Sequence, residues 1–426
     1  MKRLLFLSIL LYLNAQQSWQ LGIEHIGQHL TPFKNKNIAL VVNQCSITQQ
    51  GTRTLDILRK KGFRITCLLA PEHGFSGTIT AGENVPDQIS SSIGIPIQSL
   101  YREGTHHVAP DLFNNIDAIF FDLPHCGMRH YTYISTLEKL LEHAASYHIP
   151  LVVFDRPNPL GAIIEGPLVE PDLRSFISIA PLPLRYGLTM GELARYFNQF
   201  VLKEPAQLTV IPLHTYTRKY MHPELKKPLS PNIPTLQSCY GYSFLGLLEE
   251  IYPFFAGSNT KKPFRYLLLP EKISLNPKMW SDIALLLKRY TITSKPVRLY
   301  QEKNRTWYRG LELVFHEIIA VRSFSLLLEL LRTCTRYGIN FKMSPSFDKA
   351  IGTRIVQKYL NNTYPYESLA RATNNALIRF YKQARCCFLY KPDPVLRLLN
   401  NQSTHGSTTY ANRYERSHAA KKSSIA

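Results

Sequence analysis

Four carboxylates in short polar loops that contain glycine are the residues of this sequence best suited to chemistry. They are Glu72, Glu83, Asp122 and Glu165. Glycine lets a backbone come close to a ligand. Two carboxyl groups usually cleave a glycosidic bond, one protonating the leaving oxygen and the other acting as base or nucleophile. Each carboxylate alone also fits a surface or helix-cap role, so only the four together indicate sugar chemistry.

Other chemistries lack their sequence patterns. The chain has no glycine-rich phosphate loop and no Gly-x-Ser-x-Gly nucleophile elbow. His106 and His107 are adjacent, and adjacent side chains on a strand point in opposite directions, so they do not form a metal site. We therefore expect no nucleotide, no metal and no cofactor.

The carboxylates lie in a first half that alternates apolar strand patterns with helical ones. Pairs of this kind predict an α/β fold, with a Rossmann-like, mostly parallel sheet that carries helices on both faces. Thr189 and Glu192 form a capping box that opens one of the helices. The predicted strands are 37–43, 63–69, 116–123, 151–154 and 208–213, and the other predicted helices are 52–61 and 135–148.

Polar residues follow several of these strands at the point where each strand ends. In open parallel sheets, ligands bind at the carboxyl ends of the strands. The same residue types also begin turns, so the joint placement carries the prediction of a binding cleft. The residues are Asn43, Glu72, His73, Asp122, Asp155, Arg156 and Asn158.

The chain divides into four predicted parts. Residues 1–15 have the charged start and apolar run of a signal peptide, which predicts export to the periplasm or cell envelope. Residues 16–230 form the Rossmann-like catalytic domain. Residues 231–399 form a smaller α+β domain that completes the cleft, with helices at 323–332 and 350–360 and strands within 307–321. The basic, polar tail 400–426 is expected to be disordered. No segment after the signal peptide is apolar and long enough to cross a membrane.

The chain is strongly basic, with 50 Lys and Arg against 30 Asp and Glu and a net charge of +20. This balance favours anionic partners, or is simply a basic solvated surface. Nucleic acid is not expected, because no zinc-ligand spacing, RNP-type strand or Arg-rich helix accompanies the charge. The seven cysteines lack framework spacing and are interpreted as small buried hydrophobes rather than a disulfide scaffold.

A series of motifs in the first half resembles a known family, the NamZ-type exo-β-N-acetylmuramidases. The resemblance is close over about residues 20–200 and diverges over about 240–400. It implies an exported protein with a Rossmann-like main domain beside a smaller one, which releases N-acetylmuramic acid from the non-reducing ends of peptidoglycan fragments. The motifs include Pro71-Glu72-His73-Gly74-Phe75, Ala81-Gly82-Glu83-Asn84-Val85, Gly127-Met128-Arg129, Tyr131-Thr132-Tyr133, Asp155-Arg156-Pro157-Asn158-Pro159 and Glu165-Gly166-Pro167.

The resemblance also implies roles for residues of these motifs. Glu72 and Glu165 are the best candidates for the catalytic carboxyls, and Glu83 is the next choice. Arg129 and Arg156 suit the lactyl carboxylate of muramic acid, because a guanidinium can donate two parallel hydrogen bonds to it. The alternative for Asp155 and Arg156 is an internal ion pair that shapes the loop. The residues implied to contact sugar hydroxyl or acetamido groups, or to line the cleft, are His73, Tyr131, Tyr133, Asn158, Asn43, Asp122 and Glu250.

The loop at residues 250–260 departs from the family pattern. Glu250, Gly257 and Thr260 are retained, but Ala256 and Ser258 stand where relatives carry a glutamate and an arginine. Two functions therefore stay open. One is an exo-acting glycoside hydrolase that uses paired carboxylates on peptidoglycan fragments or other muramic acid-containing glycans. The other is a catalytically silent relative that binds such glycans as a structural or localising protein of the cell envelope.

Overall fold

This computed structural model describes residues 19–80, 82–89, 93–101, 105–218, 222–273, 276–318, 321–391 and 394–396. The predicted signal peptide and the predicted disordered tail lie outside these residues. Within them, no helix is long and apolar enough to cross a membrane.

Fifteen strands are present in the described residues. In chain order they are β1 (Ile38–Val41), β2 (Ile65–Ala70), β3 (Gln88–Ile89), β4 (Pro96–Ser99), β5 (Ala118–Phe121), β6 (Leu151–Phe154), β7 (Ile163–Glu165), β8 (Arg185–Tyr186), β9 (Leu208–Ile211), β10 (Ile251–Tyr252), β11 (Tyr266–Pro270), β12 (Ile292–Gln301), β13 (Thr306–Phe315), β14 (Lys342–Met343) and β15 (Val395–Leu396).

The α-helices of the same residues flank these strands. They are α1 (Thr54–Lys60), α2 (Tyr133–Ser146), α3 (Met190–Phe200), α4 (Leu236–Leu248), α5 (Pro277–Arg289), α6 (Ser323–Arg336), α7 (Phe347–Ile351), α8 (Ile355–Leu360) and α9 (Tyr366–Ala384).

The main sheet has seven strands in the order β3-β4-β2-β1-β5-β6-β9. All neighbours from β4 to β9 run parallel, and β3 is antiparallel at the edge. The chain passes from β1 to β2 on one side and later to β5 on the other side. The strand order therefore reverses between β1 and β5, and such a reversal opens a crevice at the carboxyl ends of the strands.

Both faces of the main sheet are buried. Val41 and Phe121 belong to one apolar cluster, and their neighbours Leu40 and Phe120 belong to another. Successive side chains on a strand point to opposite faces, so continuous apolar runs are what a two-sided burial requires. The predicted α/β class with a mostly parallel, helix-covered sheet is confirmed.

The second half contains a three-stranded antiparallel sheet in the order β11-β13-β12. One face of this sheet joins the large cluster through Leu269 and Leu313. The other face forms a small cluster of its own with Phe255, in which Leu268 is fully buried. After α9 the chain returns to the first half, where β15 pairs in parallel with β7.

One predicted helix is wrong in its extent. The stretch 350–360 forms two short helices, α7 and α8, rather than a single one. Gly352 ends α7 in the left-handed conformation at φ 82°, and its N–H donates to the carbonyl of Asp348 at 2.8 Å. A glycine at this position after a helix terminates it.

Candidate active site

The loop after β2 carries Glu72 to the carboxyl edge of the main sheet. His73 (φ 70°), Gly74 (φ 75°) and Gly77 (φ 70°) are all left-handed, which turns the chain sharply. His73 Nδ1 lies 2.7 Å from the carbonyl oxygen of Ile79 and closes the loop. A side chain on Gly77 would collide with Gln44, so the loop packs directly on the end of β1. The predicted sugar contact His73 is thus buried and holds the loop in shape.

The carboxylate of Glu72 is partly exposed and has two donors from separate segments. Thr132, the residue before α2, donates its hydroxyl to Oε2, and the backbone N–H of Gly82 donates to Oε1 at 3.4 Å. The next residue, Glu83, is exposed on the same loop and accepts a bond from the N–H of Thr80 at 3.3 Å. The structure therefore brings Glu72 and Glu83 together at one open surface.

Two tyrosines beside Glu72 are buried and organise the strand ends. The Tyr133 hydroxyl donates to the Glu72 carbonyl at 3.2 Å and accepts from Asn43 Nδ2 at 3.0 Å. The Tyr131 hydroxyl donates to the Leu229 carbonyl at 2.9 Å, and the two rings lie 4.8 Å apart. Burial raises the pKa of Tyr133 well above its usual value, so it stays a neutral donor. Asn43, Tyr131 and Tyr133 are brought to Glu72, where they connect loops.

Asp122 and Arg156 form an ion pair inside the strand-end region. Arg156 donates from Nε and Nη2 to the two Asp122 oxygens at 2.5 and 2.8 Å, and Thr54 donates its hydroxyl to the same carboxylate. Arg156 also donates to the carbonyl of Ile47 at 3.2 Å. The internal ion pair is therefore the arrangement found, with Asp122 rather than Asp155 as the partner.

Asp155 and Asn158 connect β6 to the elements around it. The Asp155 carboxylate accepts from the N–H of Gly191 at 2.7 Å and from the hydroxyls of Thr189 and Tyr390 at 2.9 and 2.5 Å. Burial raises the pKa of Asp155 to about 7, although these three donors act to lower it. Asn158 is also buried, and within the described residues its side chain bonds to backbone groups, donating to Leu188 and accepting from Leu160.

Arg129 is fully buried. Its guanidinium donates to the carbonyls of Pro167 and Leu182 at 2.7 Å each and of Ala350 at 3.0 Å, and to the Ser178 hydroxyl at 3.3 Å. All four acceptors are neutral, and burial lowers the pKa of Arg129 to about 9. In this arrangement the guanidinium joins segments of the two halves and does not face an open cleft.

Glu165 is placed in the interior, at 3% exposure. Its Oε1 lies 3.4 Å from Arg185 Nη1 and accepts the N–H of Ser323, the first residue of α6, at 2.7 Å. A carboxylate at a helix N-terminus is stabilised by the helix dipole. Glu165 and Glu72 share no hydrogen-bond partner in the described part of the chain. The structure therefore does not bring Glu165 to the surface that Glu72 and Glu83 share.

The diverged loop at 250–260 folds around two glutamates of the second half. Glu250 accepts from the hydroxyls of Ser344 and Ser346, the latter at 2.5 Å. Glu249, which the sequence did not single out, accepts the N–H groups of Ala256 and Ser258 at 3.0 and 3.2 Å. Burial raises the pKa of Glu249.

Tyr242 lies between the two halves, and carboxylates of both halves affect its pKa. Its hydroxyl donates to the His130 carbonyl at 3.2 Å. Burial raises its pKa, and the negative charges of Glu72 and Glu250 raise it further. Sequence reasoning missed Tyr242 and Thr132, although Thr132 lies within one of the motifs that carry the family resemblance.

A cavity of about 80 Å³ opens beside these residues at the strand ends. Loops after β1, β5 and β6 line it together with Trp19, Leu21, residues 222–227 and Leu229, and Glu72 is not among its lining residues. The carbonyl of Pro228 accepts from Gln44 Nε2 at 2.7 Å and from Cys45 Sγ at 2.9 Å, which holds this segment against the loop after β1. The charged residues that line the cavity are Arg156, Glu224, Lys226 and Lys227. His125 and His222 also line it, and burial lowers their pKa values to about 3 and about 4, so both are neutral near pH 7.

The described residues offer little for a bound metal or for disulfides. No group of three or more His, Cys, Asp or Glu side chains with metal-binding geometry occurs among them. All seven cysteines are unpaired, and six of them are buried. This agrees with their interpretation as small buried hydrophobes.

An open, mostly parallel sheet with polar loops at its carboxyl edge defines an α/β protein of the class in which ligands bind at that edge. Residues 38–237 match the family described as exo-beta-N-acetylmuramidase NamZ, N-terminal. The chain is 30% identical over 386 residues to the peptidoglycan beta-N-acetylmuramidase NamZ of Bacillus subtilis (strain 168). This alignment covers 87% of this chain and 91% of that protein. The chain belongs to the NamZ family, as its motifs predicted.

Solved structures share the fold. Crystal structures of two DUF1343 family proteins from Bacteroides fragilis match with TM-scores of 0.75 and 0.69 at 26% and 24% identity. Each match covers 88% of this chain and 99% of the other. The family membership supports a glycoside hydrolase role.

Proposed function

We propose that this protein is an exo-acting glycoside hydrolase that releases N-acetylmuramic acid from the non-reducing ends of peptidoglycan fragments. The observation that carries the proposal is the Glu72 carboxylate, which is partly exposed at the carboxyl edge of the sheet and is oriented by Thr132 and Gly82. A carboxyl that is both oriented and accessible can exchange a proton with a glycosidic oxygen. The name of the Bacillus subtilis relative supports the substrate class.

The second carboxyl is proposed to be Glu83 or Glu165. Glu83 is exposed on the same loop as Glu72, which favours it for direct contact with the sugar. Glu165 fits the motif order of the family, but its carboxylate is bonded to Ser323 and lies beside Arg185. Glu165 would need these bonds to rearrange before it reached a ligand.

The muramic acid carboxylate is proposed to bind on the basic side of the strand ends. Arg156 lines the cavity there with Lys226 and Lys227. Because Asp122 already holds Arg156, the two lysines are the freer cations for an incoming carboxylate. Export to the periplasm or cell envelope is proposed from the signal-peptide pattern of residues 1–15, and it would place the protein with this substrate.

The test incubates the chain with a disaccharide that has N-acetylmuramic acid at its non-reducing end, and follows released muramic acid by mass spectrometry. Release should depend on Glu72, so Glu72→Gln should abolish it, and the disaccharide of reversed sugar order should be inert. Glu83→Gln and Glu165→Gln are compared for both release and unfolding temperature. Loss of release at an unchanged unfolding temperature would identify the second catalytic carboxyl.

A catalytically silent glycan binder is the second candidate. The observation that favours it is the loop at 250–260, where Ala256 and Ser258 present backbone N–H groups to Glu249 instead of the side chains that relatives carry. Saturable binding of the disaccharide without any release would establish this function. If the disaccharide is neither cleaved nor bound, both candidate functions are overturned.

A further inference from the structure

Two aromatic rings stand side by side at the far end of the hairpin formed by β12 and β13. Tyr300 and Trp307 are directly opposed in the strand register, and their ring centroids are 5.2 Å apart. Each residue is 44% exposed. Opposed residues of an antiparallel pair lie on the same face of a sheet. The two rings therefore form one contiguous exposed aromatic patch, and exposed apolar patches are one mark of interaction sites.

The Trp307 ring is held in place by charged groups beside it. The Arg298 guanidinium lies 4.0 Å from the centre of the Trp307 ring, and its Nε and Nη2 donate to Glu271 at 2.6 and 3.0 Å. A cation over an indole face attracts the ring and limits its motion. A ring that is fixed before a ligand arrives loses less freedom on binding.

The fold uses both faces of the hairpin, but not the end that carries the two rings. Further along the same face, Leu311 and Leu313 join the large apolar cluster. On the opposite face, Val297, Leu299 and Tyr308 pack into the small cluster around Phe255 and Leu268. Tyr300 and Trp307 belong to none of the apolar clusters of the described residues. The two rings are therefore not needed for the packing of the second half.

The surroundings of the rings are basic. Residues 292–315 include five Lys or Arg and two Glu. Lys303 and Arg305 are exposed in the turn next to the rings, where the Asn304 N–H donates to Gln301 at 2.6 Å and shapes the turn. Flat rings bordered by cations suit a ligand that combines apolar faces with negative charges. A polymer of amino sugars has such faces on its rings, and lactyl and stem-peptide carboxylates supply the charge.

We propose that Tyr300, Trp307, Lys303 and Arg305 form a second binding surface, the hairpin platform, which takes the glycan strand of peptidoglycan at a distance from the Glu72 loop. The choice of this glycan rests on the proposed function. Sugar rings stack on Trp307 and Tyr300 while carboxylates of the strand meet Lys303 and Arg305. An exo-acting enzyme that also holds the polymer through a separate surface stays on it between cleavage events.

The test measures co-sedimentation of the full chain with purified peptidoglycan sacculi. Trp307→Ala and Tyr300→Ala should each weaken binding by roughly 10-fold, which corresponds to about 1.4 kcal/mol of lost contact. Tyr147→Ala is the matched control, because Tyr147 is 54% exposed at the end of α2 in the other half. Its binding should stay within about 2-fold of the unaltered chain, since no hairpin contact is lost. Equal sedimentation of the Trp307→Ala variant and the unaltered chain would overturn the proposal.

Charge reversal and chemically stripped sacculi separate the hairpin platform from other causes of sedimentation. The double variant Lys303→Glu, Arg305→Glu should weaken binding while both rings stay unchanged. It therefore still tests the hairpin platform if the Trp307→Ala protein does not fold. Sacculi stripped of accessory anionic polymers should bind as well as intact ones; binding lost on stripping would assign the platform to those polymers and overturn the choice of glycan. Release of muramic acid from the soluble disaccharide should be unchanged in Trp307→Ala. If binding to sacculi depends on the hairpin platform but no muramic acid is released, the proposed hydrolase function is refuted and the hairpin platform is supported.

Discussion

Arg156 grips both carboxylate oxygens of Asp122 where β1, β5 and β6 end. Its Nε lies 2.5 Å from Oδ1 and its Nη2 lies 2.8 Å from Oδ2. Asp122 is fully buried, and Arg156 is 6% exposed. Because Arg156 also holds the carbonyl of Ile47, one guanidinium joins the loops that follow three strands. The Asp122–Arg156 pair therefore connects the strand-end loops to one another.

Removing the negative charge of this pair should strongly destabilise the fold. Asp122→Asn leaves a buried guanidinium without its counter-ion, and breaking a buried pair typically costs about 3–5 kcal/mol. Asp56→Asn is the matched control, because Arg53 and Asp56 form the same two-bond geometry at 2.8 and 2.9 Å on the surface. An exposed pair contributes less than about 1 kcal/mol. Urea unfolding measures both, and equal losses would show that burial does not govern the Asp122–Arg156 pair.

Thr132 should act as a positioning residue for Glu72. Its hydroxyl donates to the carboxylate but does not cap α2, so Thr132→Val removes the donor with little effect on the helix. A hydrogen bond to a charged group contributes about 1.5–3 kcal/mol, so kcat should fall roughly 10- to 100-fold. Thr132→Ser keeps the hydroxyl and should restore most of the rate.

The measurement is kcat and KM of muramic acid release by the two Thr132 variants, together with their unfolding temperatures. The loss in Thr132→Val should lie in kcat with KM little changed, because the hydroxyl orients a carboxyl that acts in the chemical step. A lowered unfolding temperature with an unchanged kcat would instead assign Thr132 a purely structural role.

The local features of the fold are predictable from sequence because they depend on neighbouring residues. Apolar runs located β1 and β6, and the Thr189–Glu192 capping box is present at the start of α3. The sharp turn around Glu72 follows from glycines and a motif next to a strand. Such signals are carried by the chain within a few residues of where they act.

The roles of the charged residues depend instead on partners far along the chain. Glu165 meets Ser323, which is 158 residues away, and Arg129 meets Ala350, which is 221 residues away. No local pattern separates a buried arginine that binds carbonyls from one that awaits a substrate carboxylate. The strand β12 was also missed, because Lys295, Pro296 and Arg298 interrupt its apolar alternation.

Asp155 should make stability fall as the pH rises. Burial raises its pKa to about 7, above the value of about 3.9 in an unfolded chain. The folded state therefore holds a proton that the unfolded state releases between about pH 4 and pH 7, and stability present at pH 4 is lost across this interval. Glu192 and Tyr390 face the same carboxyl, and Glu192 adds to the rise in pKa.

Unfolding of Asp155→Asn and the unaltered chain at several pH values isolates this contribution from those of other acids. The loss of stability from pH 4 to pH 7 should be smaller in the variant, because asparagine does not titrate. Parallel curves for the two proteins would show that the carboxyl is ionised throughout this range.

Gly352 should tolerate alanine less well than Gly338, although both are left-handed glycines after helices. Their φ values are 82° and 79°, so a side chain is strained at either position by about 1–2 kcal/mol. A Cβ on Gly338 would meet nothing within 4 Å, whereas one on Gly352 would lie 2.5 Å from Nη2 of the buried Arg129. Gly352→Ala must therefore displace a guanidinium that bonds to carbonyls in both halves, and its unfolding free energy should fall by at least twice as much. Thermal unfolding of the two variants decides the point, and equal losses would mean that Arg129 moves without consequence.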